Sequence, residues 1–379
     1  MKMSGFAIFL TIVLSLYALI NSYIFIRSWQ ALQVLSSVGK YYIGPALFFI
    51  LAYPLGRFLE KIKRSFFSNI LIFIGAIYLA FMVYFSFILV GIDFLNLVNR
   101  IFHFYSFSPE QTLTVLVALL FIVALIVTAG YVNTLFPRIR ELEIRIHKHP
   151  PGVSRLNVVV VSDIHLGTLI RNGRLKKIVQ KINQLQPDIV LIPGDIVDED
   201  IAPVREARMA DVLQEIRSRF GVFAVTGNHE YFSGVQAAIQ YLKKGNIQVL
   251  NDSLVKVADS FYIVGRRDAI STRFGEKRLP LETLTKEVDS QLPVILMDHQ
   301  PLRLGEAQKA GVDLQVSGHT HNGQIFPFNW IAKKVYELSW GYKKKGQTHY
   351  YVSCGVGTWG PPVRIGSTPE IVSIKVQFD

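Results

Sequence analysis

Residues 157–165 read NVVVVSDIH. Four consecutive valines suit a strand buried on both faces, because β-branched side chains pack well on a pleated surface and no face is left for water. The run then turns polar at Ser162, Asp163 and His165. An apolar strand that ends in metal-competent side chains is the pattern of an α/β fold, which keeps its sites at the ends of its strands.

The same pattern recurs downstream. DIVLIP at 188–193 precedes Gly194-Asp195, and FAVTG at 223–227 precedes Asn228-His229. PVILMD at 293–298 precedes His299, and DLQVS at 313–317 precedes Gly318-His319-Thr320-His321. Helical periodicity is expected over 172–186, 203–218 and 233–243, and short strands at 247–250, 254–258 and 261–265. Residues 349–354 and 370–377 read as extended and predict a closing hairpin or sheet edge. The order is βαβαβα followed by a mixed half, an α/β core.

The N-terminal third is different. Residues 1–136 hold eight Lys/Arg and three Asp/Glu, against 32 and 25 in residues 137–379. Half of the 379 residues are hydrophobic and only 18% are charged, so the chain is not one uniform soluble globule. Residues 4–26 carry no charge, and about 20 apolar residues cross a bilayer. Further apolar runs at 41–56, extending back through Leu35–Val38, at 67–92 and at 112–135 predict four spans. These runs contain no internal ionisable residue, which argues against an ion path. Residues 93–107 read as an interfacial helix, a continuation of the third span, or a plain connector. The expected organisation is an anchor at 1–136, a basic juxtamembrane linker at 137–154 and a soluble domain at 155–379. Arg57, Lys61, Lys63 and Arg64 after the second span and Arg138, Arg140, Arg145 and Lys148 after the fourth place both flanks, and so the domain, on the cytoplasmic side.

Five of the nine histidines fall in the strand-end segments. Asp163 and His165, one residue apart, are expected to point the same way from an extended strand end and to reach one ion. His319 and His321 have the same spacing. Asp195 has two carboxylate oxygens and can bridge two cations, and Asn228 offers a neutral carbonyl oxygen. The single cysteine, Cys354, excludes a thiolate cluster and an internal disulfide, and the N/O donor set suits Mn, Fe, Zn or Co.

The set Asp163-x-His165, Gly194-Asp195, Gly227-Asn228-His229-Glu230, His299 and Gly318-His319-Thr320-His321 resembles the calcineurin-like metallophosphoesterase superfamily. GHTHNGQIFP at 318–327 and YVSCGVGTWGPPVRIGSTPEI at 351–371 resemble its membrane-associated branch, related to the bacterial YkuE and YaeI proteins. The resemblance covers about 155–379. It implies a four-layer α/β/β/α sandwich, here preceded by an all-helical multi-span membrane domain, in a bacterial cytoplasmic membrane. It implies that Asp163, His165 and His321 bind one divalent ion, that Asn228, His299 and His319 bind a second, that Asp195 bridges them, and that manganese is the first expectation. His229 would contact the phosphate together with Asn228 and help protonate the leaving oxygen. The chemistry would be attack on phosphorus by a hydroxide held between the ions, cleaving a phosphoester or pyrophosphate bond. Some members of the superfamily cleave the pyrophosphate of UDP-2,3-diacylglucosamine, and a lipid-linked substrate would explain the anchor. A general phosphatase or nuclease on soluble substrates, and a non-catalytic scaffold, are the alternatives.

Substrate clues lie near the C-terminus. Residues 325–345 interleave Phe326, Phe328, Trp330 and Trp340 with Lys333, Lys334, Lys343, Lys344 and Lys345. Such a segment suits a lip on membrane lipid, ordinary packing into the domain core, or single-stranded nucleic acid. The net charge of +12 divides between topology and attraction to anionic surfaces, and no nucleic-acid partner is expected. Arg364 could clamp a second phosphate or pair with Glu370. Asp198, Glu199 and Asp200 read as a solvated loop or a helix start.

Overall fold

The computed structural model describes residues 5–35 and 39–379. The backward extension of the second span through Val38 therefore falls partly outside the described residues. The chain divides into two compact units, residues 1–131 with 360–363 and residues 132–359 with 364–379.

Among the described residues of the N-terminal region, four helices are long and apolar enough to cross a membrane. They are α1 (Gly5–Leu32), α2 (Ile43–Ile62), α3 (Phe66–Phe102) and α4 (Pro109–Thr134). Residues 93–102 continue α3, so the third span has no separate interfacial helix after it. Ser65 caps α3 by accepting a hydrogen bond from the Ser68 amide. Small residues let α2 and α3 meet closely, as is usual where helices pack in lipid. A Cβ on Gly56 would lie 2.8 Å from the Ile72 amide nitrogen, and one on Gly75 would overlap the Tyr53 backbone. The helices also run past the uncharged stretches. Arg27 of α1 thus ion-pairs with Asp93 of α3, which also accepts from the Tyr23 hydroxyl at 2.7 Å.

The second unit holds two six-stranded sheets. The strands are β1 (Arg138–Ile146), β2 (Arg155–Val160), β3 (Ile189–Pro193), β4 (Val222–Val225), β5 (Ile247–Val249) and β6 (Ser253–Val257). They continue with β7 (Phe261–Gly265), β8 (Val294–Met297), β9 (Leu314–Ser317), β10 (Gly341–Lys345), β11 (Thr348–Val352) and β12 (Glu370–Phe378). One sheet runs β1-β12-β2-β3-β4-β5 and the other β10-β11-β9-β8-β7-β6.

The valine run explains the layering. Leu156, Val158 and Val160 face the space between the sheets and meet Ile263, Ile295, Met297 and Val316 of the second sheet. Val159 and Val161 face the other way, toward Leu175, Ile178 and Ile182 of the helix Asn172–Gln184. On the far side, Val264, Val294 and Leu296 pack against Leu281, Leu284 and Ala307 of two short helices. The result is the α/β/β/α sandwich.

Two expectations change. Residues 138–146 are not linker but strand β1, paired in parallel with β12 along nine positions from Arg138–Glu370 to Ile146–Phe378. The stretch RIRELEIRI hides its period-two signal behind Arg and Glu on the opposite face, while Ile144 and Ile146 enter the core between the sheets. Residues 349–354 and 370–377 do not pair with each other. β11 sits between β9 and β10, and β12 between β1 and β2. Both are interior strands, which accounts for their apolar character on both faces.

If β1 is part of the core, Ile144→Ala should lower the stability of the domain by about 2–4 kcal/mol, the cost typical of a truncated buried aliphatic side chain. Denaturant unfolding measures it. A change near zero would return the segment to a linker.

Candidate metal centre and active site

Every predicted ligand lies just past the end of a strand. Asp163 and His165 follow β2, Asp195 follows β3, and Asn228 and His229 begin the short helix Asn228–Phe232 after β4. His299 follows β8, and His319 and His321 follow β9. The parallel order β2-β3-β4 and β7-β8-β9 brings these ends together.

The loops converge by strain rather than by pleat. Asp163 and His165 have φ of 52° and 53°, so they do not extend the strand as the sequence spacing predicted. Asp195, His319 and His321 also lie in the left-handed region, at φ 52°, 72° and 47°. Each such non-glycine residue costs about 1–3 kcal/mol and persists only where the surroundings over-determine it. Here the loops hold one another. The amides of Asp163 and His165 donate to the carbonyls of Gly194 (3.1 Å) and Asp195 (3.0 Å). The His319 amide donates to Asp163 Oδ1 at 2.8 Å, and the His229 amide to Asp195 Oδ1 at 2.9 Å. Glu230, fully buried, accepts from the amides of Gly227 (2.7 Å), Val197 (2.8 Å) and Asp195 (3.1 Å). It staples two of the loops. The motif glycines make room, since a Cβ on Gly227 would collide with Asp195 and one on Gly318 with Asp163.

Two clusters of donor atoms result. Asp163, His165 and His321 form one, and Asp195, His299 and His319 the other, with the ligand atoms of each within 4.8 Å of one another. Asp195 also joins His165 and His229 in a third such group, so it lies between the two. Asn228 Oδ1 is 3.2 Å from His299 Nε2, and Asp195 Oδ2 is 3.2 Å from the same nitrogen. His165 Nε2 and His321 Nε2 face each other at 3.1 Å.

These residues fit a pair of divalent cations. Asp163 Oδ2 is buried and has no hydrogen-bond partner. His299 Nδ1 lies 2.8 Å from the Pro193 carbonyl, to which it can donate, and this turns the Nε2 lone pair toward two oxygen lone pairs. Burial opposes charge on Asp195, yet His299, with His229 and His165, outweighs it and holds the carboxyl well below its ordinary range. Burial also opposes charge on His299, and the Asp195 carboxylate overrides it and raises its proton affinity well above normal. A cation placed there would do what that proton does. Burial and the charge of His299 push His319 down to about 3, and burial and Arg364 push His321 well below its ordinary value. A neutral imidazole is the form that ligates a metal.

His229 stands beside this cluster. Its ring is 4.6 Å from that of His165 between centroids, and its Nδ1 is 3.1 Å from Asp198 Oδ1. Burial would lower its pKa, but the contact with Asp198 and the charges of Asp195, Asp198 and Glu230 prevail and raise it to about 9. Asp198 is thus not a solvated loop residue. Its carboxylate is turned toward His229 and His165 and lies below its usual range, because those contacts outweigh its burial. Spacing after Asp195 was the available signal, but three acidic residues in a row at 198–200 looked like solvent-facing sequence.

Arg364 departs from both of its expected roles. Its side chain is wholly buried, and it donates to the carbonyls of Cys354 (2.7 Å) and Gly357 (3.0 Å from Nε) and lies 3.0 Å from His321 Nδ1. It supports the loop behind His321 and is not positioned to clamp a phosphate. Glu370 is held instead by the Trp340 indole, the Tyr351 hydroxyl and the Cys354 amide.

The aromatic segment divides. Phe326, Phe328 and Trp330 are solvent-exposed rather than packed into the core, with Phe328 and Trp330 on the helix Phe328–Val335 and the Phe326 and Trp330 rings edge-on at 5.0 Å. Trp340 is not part of that group, since its indole bonds Glu370 and its ring lies under Arg140. Lys343 and Lys345 lie on β10 and pair with Glu337 at 2.9 and 3.2 Å.

Residues 156–323 match the family model of the calcineurin-like phosphoesterases. A metallophosphoesterase of Helicobacter pylori is 33% identical over 242 residues, 63% of this chain and 64% of that protein. One of Aquifex aeolicus is 34% identical over 262 residues, 68% of this chain and 98% of that protein. A zebrafish (Danio rerio) protein named transmembrane protein with metallophosphoesterase domain is 33% identical over 274 residues, 68% of this chain and 62% of that protein. The chain therefore spans just under two thirds of the H. pylori and zebrafish relatives and nearly all of the Aquifex one. By that match, and with the motif residues gathered at the strand ends, the chain belongs to the calcineurin-like metallophosphoesterase family.

Proposed function

We propose that the protein is a membrane-anchored phosphohydrolase that uses two divalent cations, manganese first, to cleave a phosphoester or pyrophosphate bond in a lipid-linked substrate. A phospholipid or a UDP-diacylglucosamine-like molecule is the class meant. The observation that carries the reading is the His229–Asp198 pair set beside two donor clusters that share Asp195.

The roles follow from the chemistry of the side chains. Asp163, His165 and His321 hold one ion, Asn228, His299 and His319 the other, and Asp195 lies between them. When bound, the ions supply the Lewis acidity that activates water at neutral pH and offsets charge on phosphoryl oxygens. His229, protonated by virtue of its acidic neighbours, hydrogen-bonds the phosphoryl group and gives its proton to the departing oxygen. Asp198 orients that imidazole and keeps it charged. The loops exclude bulk water, which strengthens each of these interactions.

Anchoring favours a substrate in the bilayer, because a soluble substrate needs no anchor. The exposed Phe326, Phe328 and Trp330 beside Lys333 and Lys334 support contact with an anionic lipid surface. The basic flanks after α2 and α4 support a cytoplasmic position for the catalytic domain in a bacterial cytoplasmic membrane.

Three outcomes are expected. The full-length protein in nanodiscs with Mn²⁺ should hydrolyse a lipid phosphodiester in preference to soluble mononucleotides, and Asp195→Asn should abolish turnover and bound metal together. Full activity in that variant, or a preference for mononucleotides, would count against the reading. Asp198→Asn should cost on the order of 10²-fold in kcat for an alkoxide leaving group, the scale of general acid catalysis, and much less for p-nitrophenolate, which departs without a proton. Equal losses on both leaving groups would remove His229 from the acid role. Protease should reach the catalytic domain in inside-out vesicles only; cleavage confined to right-side-out vesicles would reverse the topology.

A further inference from the structure

His229 is buried, yet two of the rings against it and a third beyond them are not. Phe232 closes the short helix Asn228–Phe232, three residues past His229, and its ring lies 5.7 Å from the imidazole between centroids, crossed at 75°. Trp359 lies 6.1 Å from the same imidazole, also crossed at 75°. Phe274, the last residue of the turn Ala269–Phe274, stands 6.3 Å from Phe232. The three side chains are 51%, 53% and 50% exposed. Clustered half-exposed rings at one catalytic group are the mark of a surface that something else covers.

The placement is built rather than incidental. The Trp359 amide donates to Gln324 Oε1 at 2.9 Å, and Gln324 Nε2 donates back to the Trp359 carbonyl at 2.8 Å. Gln324 is buried and has a left-handed backbone, three residues past His321. The loop that carries two metal-competent histidines therefore also fixes the tryptophan. Tyr231 anchors the other side, its ring 5.5 Å from Phe274 and its hydroxyl donating to Glu276 at 3.0 Å.

The exposed chemistry says what fits. Phe232 and Trp359 each cross the imidazole at 75°, and Phe274 is tilted at 55° to Phe232. The three half-exposed rings offer apolar area beside the imidazole that a flexible aliphatic chain can cover. We propose that Phe232, Phe274 and Trp359 form the subsite for the aliphatic part of the leaving group, and that the substrate is a phosphoester of a lipid alcohol. The inference rests on the phosphohydrolase reading of the same site. In the reaction the bond from phosphorus to the lipid oxygen breaks, a water oxygen takes its place on phosphorus, and the proton from His229 ends on the departing alcohol. Phe232 and Trp359 stand against the residue that delivers that proton, with Phe274 beyond Phe232, so the chain of the departing alcohol leaves along these rings.

The test uses the full-length protein in nanodiscs with Mn²⁺ and n-alkyl phosphates from butyl to decyl, below their aggregation limits, with released phosphate as the readout. For the wild type, kcat/KM should rise by roughly two- to four-fold per added methylene until the collar is filled, the scale set by apolar burial. In Phe232→Ala and Trp359→Ala the dependence on chain length should flatten, and Phe232→Leu should retain much of it. Because the slope is read rather than the absolute rate, a partial loss of fold or metal affects every chain length alike. Equal slopes in wild type and variants, or a flat wild-type series, overturn the proposal. A wild-type preference for nucleoside monophosphates over decyl phosphate that Trp359→Ala abolishes also overturns it, in favour of a base. Should no alkyl phosphate be turned over, hydrolysis of the lipid phosphodiester decides the phosphohydrolase reading, and calorimetry with butyl and decyl phosphonates decides the collar. Tighter binding of the longer chain to wild type alone supports the subsite, and equal binding removes it.

Discussion

The gathered donor site depends on keeping the Asp195 carboxylate charged where no water reaches it. A buried carboxylate without compensation would take up a proton. Asp195 escapes this because His299 approaches one oxygen and the His229 amide donates to the other. The same contacts fix the distance between the two donor clusters and bring His229 into place. Without that carboxylate the histidines on either side would lose the charge that sets their proton affinities. Placing it requires the loops after β2, β3, β4, β8 and β9 to come together within one small volume.

That requirement explains the strain. Five of the predicted site residues sit at positive φ, a conformation that a free loop would abandon. The cost is met by the sheets beneath. Valines and isoleucines of β2 and β3, buried on both faces, give each loop a rigid base, and Glu230 and Asp163 collect loop amides that would otherwise be unsatisfied. Gly194, Gly227 and Gly318 recur in the motifs for a steric reason, since each lies where a side chain would strike a neighbouring loop.

Legibility in the sequence followed the strength of local patterns. The four apolar helices, the valine strand and the five strand-end motifs are short-range signals, and each occurs in the chain where the structure has it. Strand β1 was missed because its alternation is diluted by charges on the exposed face, and because a basic stretch after a span looks like a juxtamembrane linker. β11 and β12 were recognised as extended but not assigned to separate sheets, because pairing partners lie far apart in the chain. Asp198 was missed for a related reason. Its neighbours Glu199 and Asp200 share its charge, and only the fold turns one of the three inward toward His229.

By itself the sequence determined the division into an apolar helical region and an α/β domain, and the identity of the side chains that meet at the metal centre. Both rest on composition and spacing, which survive without knowledge of what packs on what. The tertiary structure alone decided that Asp163 and His165 converge through left-handed loops rather than along a strand. It alone buried Arg364 behind His321, and left Phe232 and Trp359 half-exposed beside the imidazole with Phe274 beyond Phe232. The direction of a side chain past a strand end is set by contacts between loops distant in sequence, and no local pattern encodes those contacts.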